Sequence, residues 1–459
     1  MTGCRHKMTV KITTPPQEWI KSDKPLAKIA RNVLWLLSGK GVSAVLSLIY
    51  LGLVTRTLGV EDFGRFALVL SIGTAIVQFV QFECWQVVVR FGAAHLHQGN
   101  RRALGRLVGA CRMFDILGFI IGIGIAWLAT ILLVRHGQWD ASAGETGFLY
   151  CCVVLPAVRS TPAGVLRLHN RFDLSIYAET VVSVCRMIGT VAVIATGPSI
   201  DRFLIVWACS EIIASIVFWL FAYLVDSDAV SLRHSFKFLK TLKEEQGLPR
   251  FLVVTNLGTT MTGLANQAPV LALGIFVSPA SAGLYRLAFQ ITQALSKVTK
   301  LIAGSAYAEL NHLRARDGIG ALSKVLKRAN RLTASAGVVL VVVIALLGQP
   351  LLLLIAGHAF TGAYPLLLLL GSAAAVNLVG VSYEPALLAV TDGTAVLQRK
   401  LLVTAAYLML TAIALPAWGA IGAATANIGA ALLSWAIFAT ALRHHIHEPA
   451  KKAGLQPVI

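Results

Sequence analysis

With 459 residues, 56% of them hydrophobic against 13% charged, and a mean hydropathy of +0.73, the chain is neither a water-soluble globule nor a disordered polymer. Its net charge of +19 points at first to nucleic acid, but a basic soluble domain gathers Lys and Arg on one folded face, and here they fall between apolar spans. Nucleic acid is therefore excluded as a partner, and an all-α polytopic membrane protein surrounded by membrane lipids is expected.

Taken in order, the apolar spans are 28–56, 63–89, 107–134, 146–166, 174–196, 203–225, 251–276, 282–306, 328–355, 363–390, 401–416 and 421–442. A hydrocarbon core of about 30 Å asks for about 20 residues in each. Residues 1–27 form a polar N-terminal tail, and the first span is too long for a signal-peptide core, so it is expected to stay as a transmembrane helix. Residues 28–225 are expected to form one six-helix bundle and 251–442 a second, joined by a basic linker at 226–250 and followed by a tail at 443–459.

Cations alternate between the two sides of this layout. One side holds the N-terminal tail with Lys21 and Lys24, then Arg101, Arg102 and Arg106, Arg167 and Arg171, Lys237 and Lys240, Arg399 and Lys400, and Lys451 and Lys452. The other has little beyond Arg56, Arg65, Arg135 and Arg202. The positive-inside rule then places both termini in the cytoplasm. The longest outer loop is about ten residues, too short to house an enzyme domain. The seven cysteines form no CxxC and no Cys/His cluster, so they read as small packing residues.

The eighth span departs from the apolar pattern. Arg286, Gln290, Gln293, Lys297 and Lys300 follow at spacings of four, three, four and three, which puts them on one helix face. A charge at bilayer depth costs about 2.5 kcal/mol or more, so such a stripe faces a bundle interior or a watery cavity. Shifting the sequence by 219 residues lays Ser71, Thr74, Gln78 and Gln81 over Gln290, Gln293, Lys297 and Lys300, and pairs Gly64 with Gly283 and Phe66 with Tyr285. The chain thus reads as two parallel halves.

The segments LGVEDFGRFALVL (from Leu58), SAGLYRLAFQI (from Ser281), GVLRLHNRFDL (from Gly164), GQPLLLLIAGHAFTGAYPLLLLL (from Gly348) and WGAIGAATANIGAALL (from Trp418) resemble the polysaccharide exporter branch of the MOP superfamily, the Wzx-type flippases. The resemblance covers nearly the whole chain. It implies a V-shaped pair of six-helix bundles around a central cationic cavity. It further implies movement of an undecaprenyl-diphosphate-linked oligosaccharide across the bacterial inner membrane, with a polysaccharide polymerase and export machinery as further partners. The lipid II flippases of the superfamily are also similar but usually have fourteen spans.

Cations suit a desolvated diphosphate and amides suit sugar. The expected cavity residues are Lys40, Arg186, Arg286, Gln290, Gln293, Lys297, Lys300, Gln78, Gln81 and Asn256, with Lys297 and Lys300 as the phosphate wall. Other readings stay open. Arg112 and Asp115 could neutralise each other; Lys40 and Lys300 could snorkel to headgroups; Arg286 could be an interface anchor; Arg186 and Lys297 could pair with Glu211 or Glu83. Gly118 and Gly122 read as packing, and Pro156, Pro162 and Pro269 as kinks. No HExxH, GxSxG, Walker loop or hydrolase carboxylate pair occurs, so neither an enzyme nor a cofactor is expected. The alternative is a cation-coupled multidrug antiporter of the same superfamily, which needs a membrane-embedded carboxylate; spans one, seven and eight contain none. A membrane enzyme such as a polymerase is the third class.

Overall fold

The computed structural model describes residues 25–135, 141–231, 241, 244, 245, 247–297, 321–388 and 393–447, and among these it is helical throughout with short connections. In order the helices are α1 (Pro25–Val80), α2 (Cys84–His97), α3 (Arg101–Arg135), α4 (Ala141–Val154), α5 (Ser160–Leu168), α6 (Phe172–Thr196), α7 (Ile200–Val225), the single turn α8 (Ser227–Val230) and α9 (Leu248–Phe276). Then come α10 (279–297), α11 (Ala321–Ala356), a 3-10 turn at His358–Ala363, α12 (Tyr364–Val379), α13 (Tyr383–Leu388) and α14 (Gly393–His447).

At 1.5 Å per residue, α1 and α14 would each run to roughly 80 Å, far beyond a bilayer. Each is two spans joined at a glycine. Gly59 has φ 73° and ψ −177°, and Gly419 has φ 55° and ψ −131°, conformations that a Cβ disfavours. After Gly419 the chain doubles back so tightly that a Cβ on Gly422 would lie 2.0 Å from the Ala414 carbonyl oxygen. Among the described residues, seven helical stretches are long and apolar enough to cross a membrane, two of them containing these glycine joints. Most of the described residues in the spans expected from hydropathy are helical. Large apolar side chains such as Ile120, Ile188, Leu346, Leu354 and Ile413 point outward, as a lipid-facing surface requires.

Three spans expected as continuous helices are broken instead. The second stops at Val80 and resumes at Cys84; in place of an intrahelical bond, the Trp85 N–H donates to Ser160 Oγ at 3.1 Å. The fourth stops at Val154, where Pro156 removes a donor, and resumes as α5, with Pro162 in the first turn, where it is tolerated. The tenth is interrupted between Val379 and Tyr383. Pro269 lies inside α9 without ending it.

Helices α2 to α8 pack on one another and on α1, and α11, α12 and α14 pack together, while α9 lies against both α1 and α14. The bundles meet in one shared core. Phe63 and Phe360 are edge to face at 5.8 Å, and both are fully buried. A Cβ on Gly64 would sit 1.9 Å from the Pro279 carbonyl oxygen, and one on Gly283 would sit 3.0 Å from Gly64 Cα. These two glycines are the pair related by the 219-residue shift, so equivalent positions of the repeat touch each other where the halves meet. Arg56 adds a second tie at this end, donating from Nη2 to the Leu354 and Leu353 carbonyls (2.6 and 3.2 Å) and from Nε to the Ile355 carbonyl (3.1 Å), the last turn of α11. Gly118 and Gly122 lie against Val80 and Leu155, as packing positions do.

At the opposite, basic end, the described residues of the 226–250 segment are pinned to the first bundle. His95 Nε2 is 2.7 Å from Glu245 Oε1, Arg106 Nη2 is 2.9 Å from Glu244 Oε2, and Arg90 lies over the Phe251 ring at 4.5 Å.

Candidate functional site

A cavity of about 190 Å³ lies between the bundles, walled by both spans of α1 and by α4, α6, α7 and α10. Its polar lining is Thr74, Arg159, Arg186, Glu211, Arg286 and Gln290, set among Tyr50, Tyr150, Trp207, Phe63 and Phe66.

Each charge is placed by an element already described. Arg159 belongs to the break between α4 and α5, and its Nη2 reaches Glu211 Oε2 at 2.5 Å. Arg186, on α6, donates to the other Glu211 oxygen at 2.7 Å and to Ser210 Oγ at 3.1 Å. Its guanidinium stands 5.1 Å from the centre of the Trp207 ring. Trp207 is in turn fixed edge to face by Tyr50 at 5.4 Å and Phe66 at 5.1 Å. Arg286 enters from the second bundle and donates through Nη1 to Gln267 Oε1 at 3.0 Å, while its Nε has no partner among the described residues.

The electrostatic consequence is a cavity with surplus positive charge. Glu211 is shared by two arginines, and Arg286 adds a third, so three guanidiniums face one carboxylate among the described lining residues. In surroundings less polarisable than water, that surplus attracts an anion strongly, and planar guanidiniums are suited to phosphate oxygens.

Of the residues picked out from the sequence, Arg186, Arg286 and Gln290 come together in this cavity. Arg286 therefore faces the interior rather than the membrane interface. Arg186 has the Glu211 partner considered above, but shares it with Arg159. Gln293 is half-buried one turn beyond Gln290, and Lys297 is exposed, roughly 16 Å along α10 from Arg286. Gln78 lies against Gly263 of α9, Asn256 is half-buried on α9, and Gln81 lines a separate small cavity beside Asp115. The Lys40 side chain and Lys300 lie outside the described residues. The charged wall seen here is thus built of arginines, two of the three from the first bundle.

Sequence reasoning left Arg159, Gln267 and the aromatic frame out of the site, and held Glu211 only as an ion-pair partner of Arg186 or Lys297. Arg159 and Glu211 were visible as charges at membrane depth; that they share one site depends on the break at Pro156, which lets the backbone leave the helix axis. Tyr50, Tyr150 and Trp207 carry no signal, because an aromatic in an apolar span reads as core or lipid contact.

Comparison with known proteins fits this architecture. The inner membrane protein YghQ of Escherichia coli (strain K12) is 26% identical over 349 residues, 75% of this chain and 97% of YghQ. Among solved structures, an inward-facing multidrug resistance MATE family transporter of the MOP superfamily superposes with a TM-score of 0.67 at 14% identity, covering 87% of this chain and 95% of that one. The lipid II flippase MurJ in an inward closed conformation gives 0.65 at 13% identity, over 90% and 87%. At such identities the likeness concerns the fold alone. The family model described as polysaccharide biosynthesis protein matches residues 29–307, and the chain belongs to that family.

Proposed function

We propose that the protein is a flippase that moves an undecaprenyl-diphosphate-linked oligosaccharide across the bacterial inner membrane by alternating access, both termini facing the cytoplasm. The observation that carries this reading is the charge count of the central cavity. Two positive charges are left unbalanced by Glu211, and a diphosphate diester carries two negative ones. At about 190 Å³ the cavity holds such a headgroup but is smaller than the roughly 300 Å³ that drug-sized ligands need. The sugar chain would extend along Gln293 towards Lys297, and the prenyl tail would stay in lipid. Family membership supports a role in polysaccharide assembly, with a polymerase and export machinery acting after this step.

Cells lacking the protein are expected to accumulate lipid-linked oligosaccharide on the cytoplasmic leaflet and to lose surface polysaccharide. Complementation with Arg186→Ala should fail at normal membrane levels, and Arg186→Glu should fail more completely, because it repels the diphosphate. Normal surface polysaccharide in the deletion strain sinks the proposal. The multidrug antiporter reading draws on the likeness to a MATE transporter, but a cationic drug would meet surplus positive charge. Sodium- or proton-dependent export of a cationic dye from vesicles would favour it instead.

A further inference from the structure

Where the tenth span breaks, between Val379 and Tyr383, a cleft of about 180 Å³ opens in the second bundle, sharing no lining residue with the central cavity. Its polar lining comes from both sides of the break and from the last span: Asn377 on α12, Glu384 on α13, and Ser434 and Trp435 on α14. Among the described residues, the side chains of Asn377, Ser434 and Trp435 make no hydrogen bond, and Glu384 uses one oxygen, Oε1, on Lys400 Nζ at 2.7 Å. Asn377 is exposed about two turns, roughly 10 Å, deeper in the span than Glu384. An open amide at that depth is costly against hydrocarbon, so the cleft suits a polar occupant.

The repeat shows that the fold does not impose this polarity. The 219-residue shift lays Val158, Ser215 and Trp219 of the first bundle over Asn377, Ser434 and Phe438 of the second. In the first bundle Ser215 Oγ donates to the Val158 carbonyl at 2.8 Å, so that serine is satisfied by the broken span itself. Val158 and Trp219 there line an open groove with Ile116, Phe119 and Tyr223, apolar apart from its Arg112 and Asp115 pair. Ser434 makes no corresponding bond, which leaves its hydroxyl for a ligand. Val381, in the wall of the cleft, and Leu432, beside it on α14, are exposed apolar side chains, which puts the mouth of the cleft on the lipid-facing surface.

Polarity in the cleft is layered with depth. The ion pair of Glu384 and Lys400 lies at the basic end, and the hydroxyl, indole and amide lie further in. A phospholipid has the same order: charged headgroup at the interface, ester carbonyls next, acyl chains deepest. Glu384 and Lys400 sum to zero charge, so an anionic lipid gains nothing here, whereas a zwitterion finds an acceptor for its ammonium and a cation for its phosphate. A partly exposed ion pair is worth little by itself and can exchange its partners for such a headgroup. We propose that this cleft binds one phospholipid whose headgroup carries a primary ammonium, of the phosphatidylethanolamine type. Its ammonium donates to Glu384, its phosphate meets Lys400, and its ester carbonyls accept from Ser434, Trp435 and Asn377. Bound there, the lipid braces the broken tenth span against the last one.

The test uses the purified, delipidated full-length protein in detergent and follows thermal stability, because a ligand that binds the folded state raises Tm with concentration. Dioleoyl phosphatidylethanolamine, phosphatidylcholine and phosphatidylglycerol are titrated into the micelles separately. The wild type should reach a given rise in Tm at about tenfold less of the ethanolamine lipid, because only its ammonium donates a charge-assisted hydrogen bond to Glu384. Glu384→Gln should lose this preference whatever it does to the baseline Tm. Ser434→Ala keeps the ion pair, so it should keep the preference while raising the lipid concentration needed about fivefold, the worth of one hydrogen bond. A wild type that responds equally to all three lipids, or most to the glycerol lipid, overturns the proposal. So does a preference that survives in Glu384→Gln, and, where that variant does not fold, a Ser434→Ala titration identical to the wild type. No sugar-linked lipid is present, so the outcome is independent of the flippase reading.

Discussion

His169 ties the end of α5 to the end of α7 at the basic surface, and its geometry selects a protonation state. Nδ1 is 3.0 Å from the Val165 carbonyl and Nε2 is 3.2 Å from Asp226 Oδ2, so both ring nitrogens face acceptors and the doubly protonated cation is favoured. The hydrogen bond with Asp226 raises the His169 pKa above its ordinary 6.5, and the same bond holds the Asp226 carboxyl below its ordinary 3.8. The histidine contribution is fully present below 6.5 and is lost as pH rises through its raised value. The aspartate contribution is present above 3.8 and is lost as pH falls through its lowered value. The Tm difference between wild type and His169→Ala should therefore be largest between these two ordinary values and shrink in alkaline buffer; a pH-independent difference would show that the pair adds packing only. At this scale the sequence was legible where a residue was anomalous. A charge inside an apolar span is costly wherever it lies, which exposed Arg186 and Arg286. Tyr50 and Trp207, which frame them, satisfied every expectation of an apolar span and so announced nothing.

Among the elements, two glycines five residues apart have different physical duties. Gly59 has open space around a notional Cβ, but its φ of 73° with ψ near 180° is a backbone region held almost only by glycine. Gly64 has room for no side chain at all, with the Pro279 carbonyl 1.9 Å from a Cβ. Gly59→Ala should destabilise by about 1–3 kcal/mol through local strain alone, leaving export intact once the chain is inserted. Gly64→Ala should cost about 1–3 kcal/mol by overpacking and should also impair export, because it wedges the two bundles apart. Thermal unfolding and surface polysaccharide in the same two strains check this contrast, and equal export defects would refute it. Span positions were readable from hydropathy because the bilayer fixes their length. The breaks were not equally so: Pro156 signals the one in the fourth span, whereas Gln81–Phe82–Glu83 contains no proline or glycine. There a tertiary bond, Trp85 N–H to Ser160, replaces the local one. That break is why Gln81 leaves the polar stripe that a straight helix would have continued.

For the whole molecule, one set of ties between the halves lies at the end carrying Gly59. Arg56, exposed on one bundle, neutralises the partial negative charge at the C-terminus of α11 on the other. Arg56→Ala should loosen this end, speeding amide hydrogen exchange in residues 277–284 severalfold; unchanged exchange would mean that the glycine contact alone holds it. The overall charge layout, basic at the opposite end, was evident in the loops. The shared core that joins the halves was not, because burial between two bundles and burial within one look the same in a hydropathy profile.

If the halves rock as proposed above, the contact between Gly64 and Gly283 also sets the mechanical advantage. A fulcrum at one face of a hydrocarbon core about 30 Å thick gives each bundle a lever of that length, so a rotation of about 20° sweeps its far end through about 10 Å. At that point the contact is backbone on both sides, with no side chain between the two glycines. The stroke is then limited by what is pinned at the far end, among it the clasp of Arg90 on Phe251.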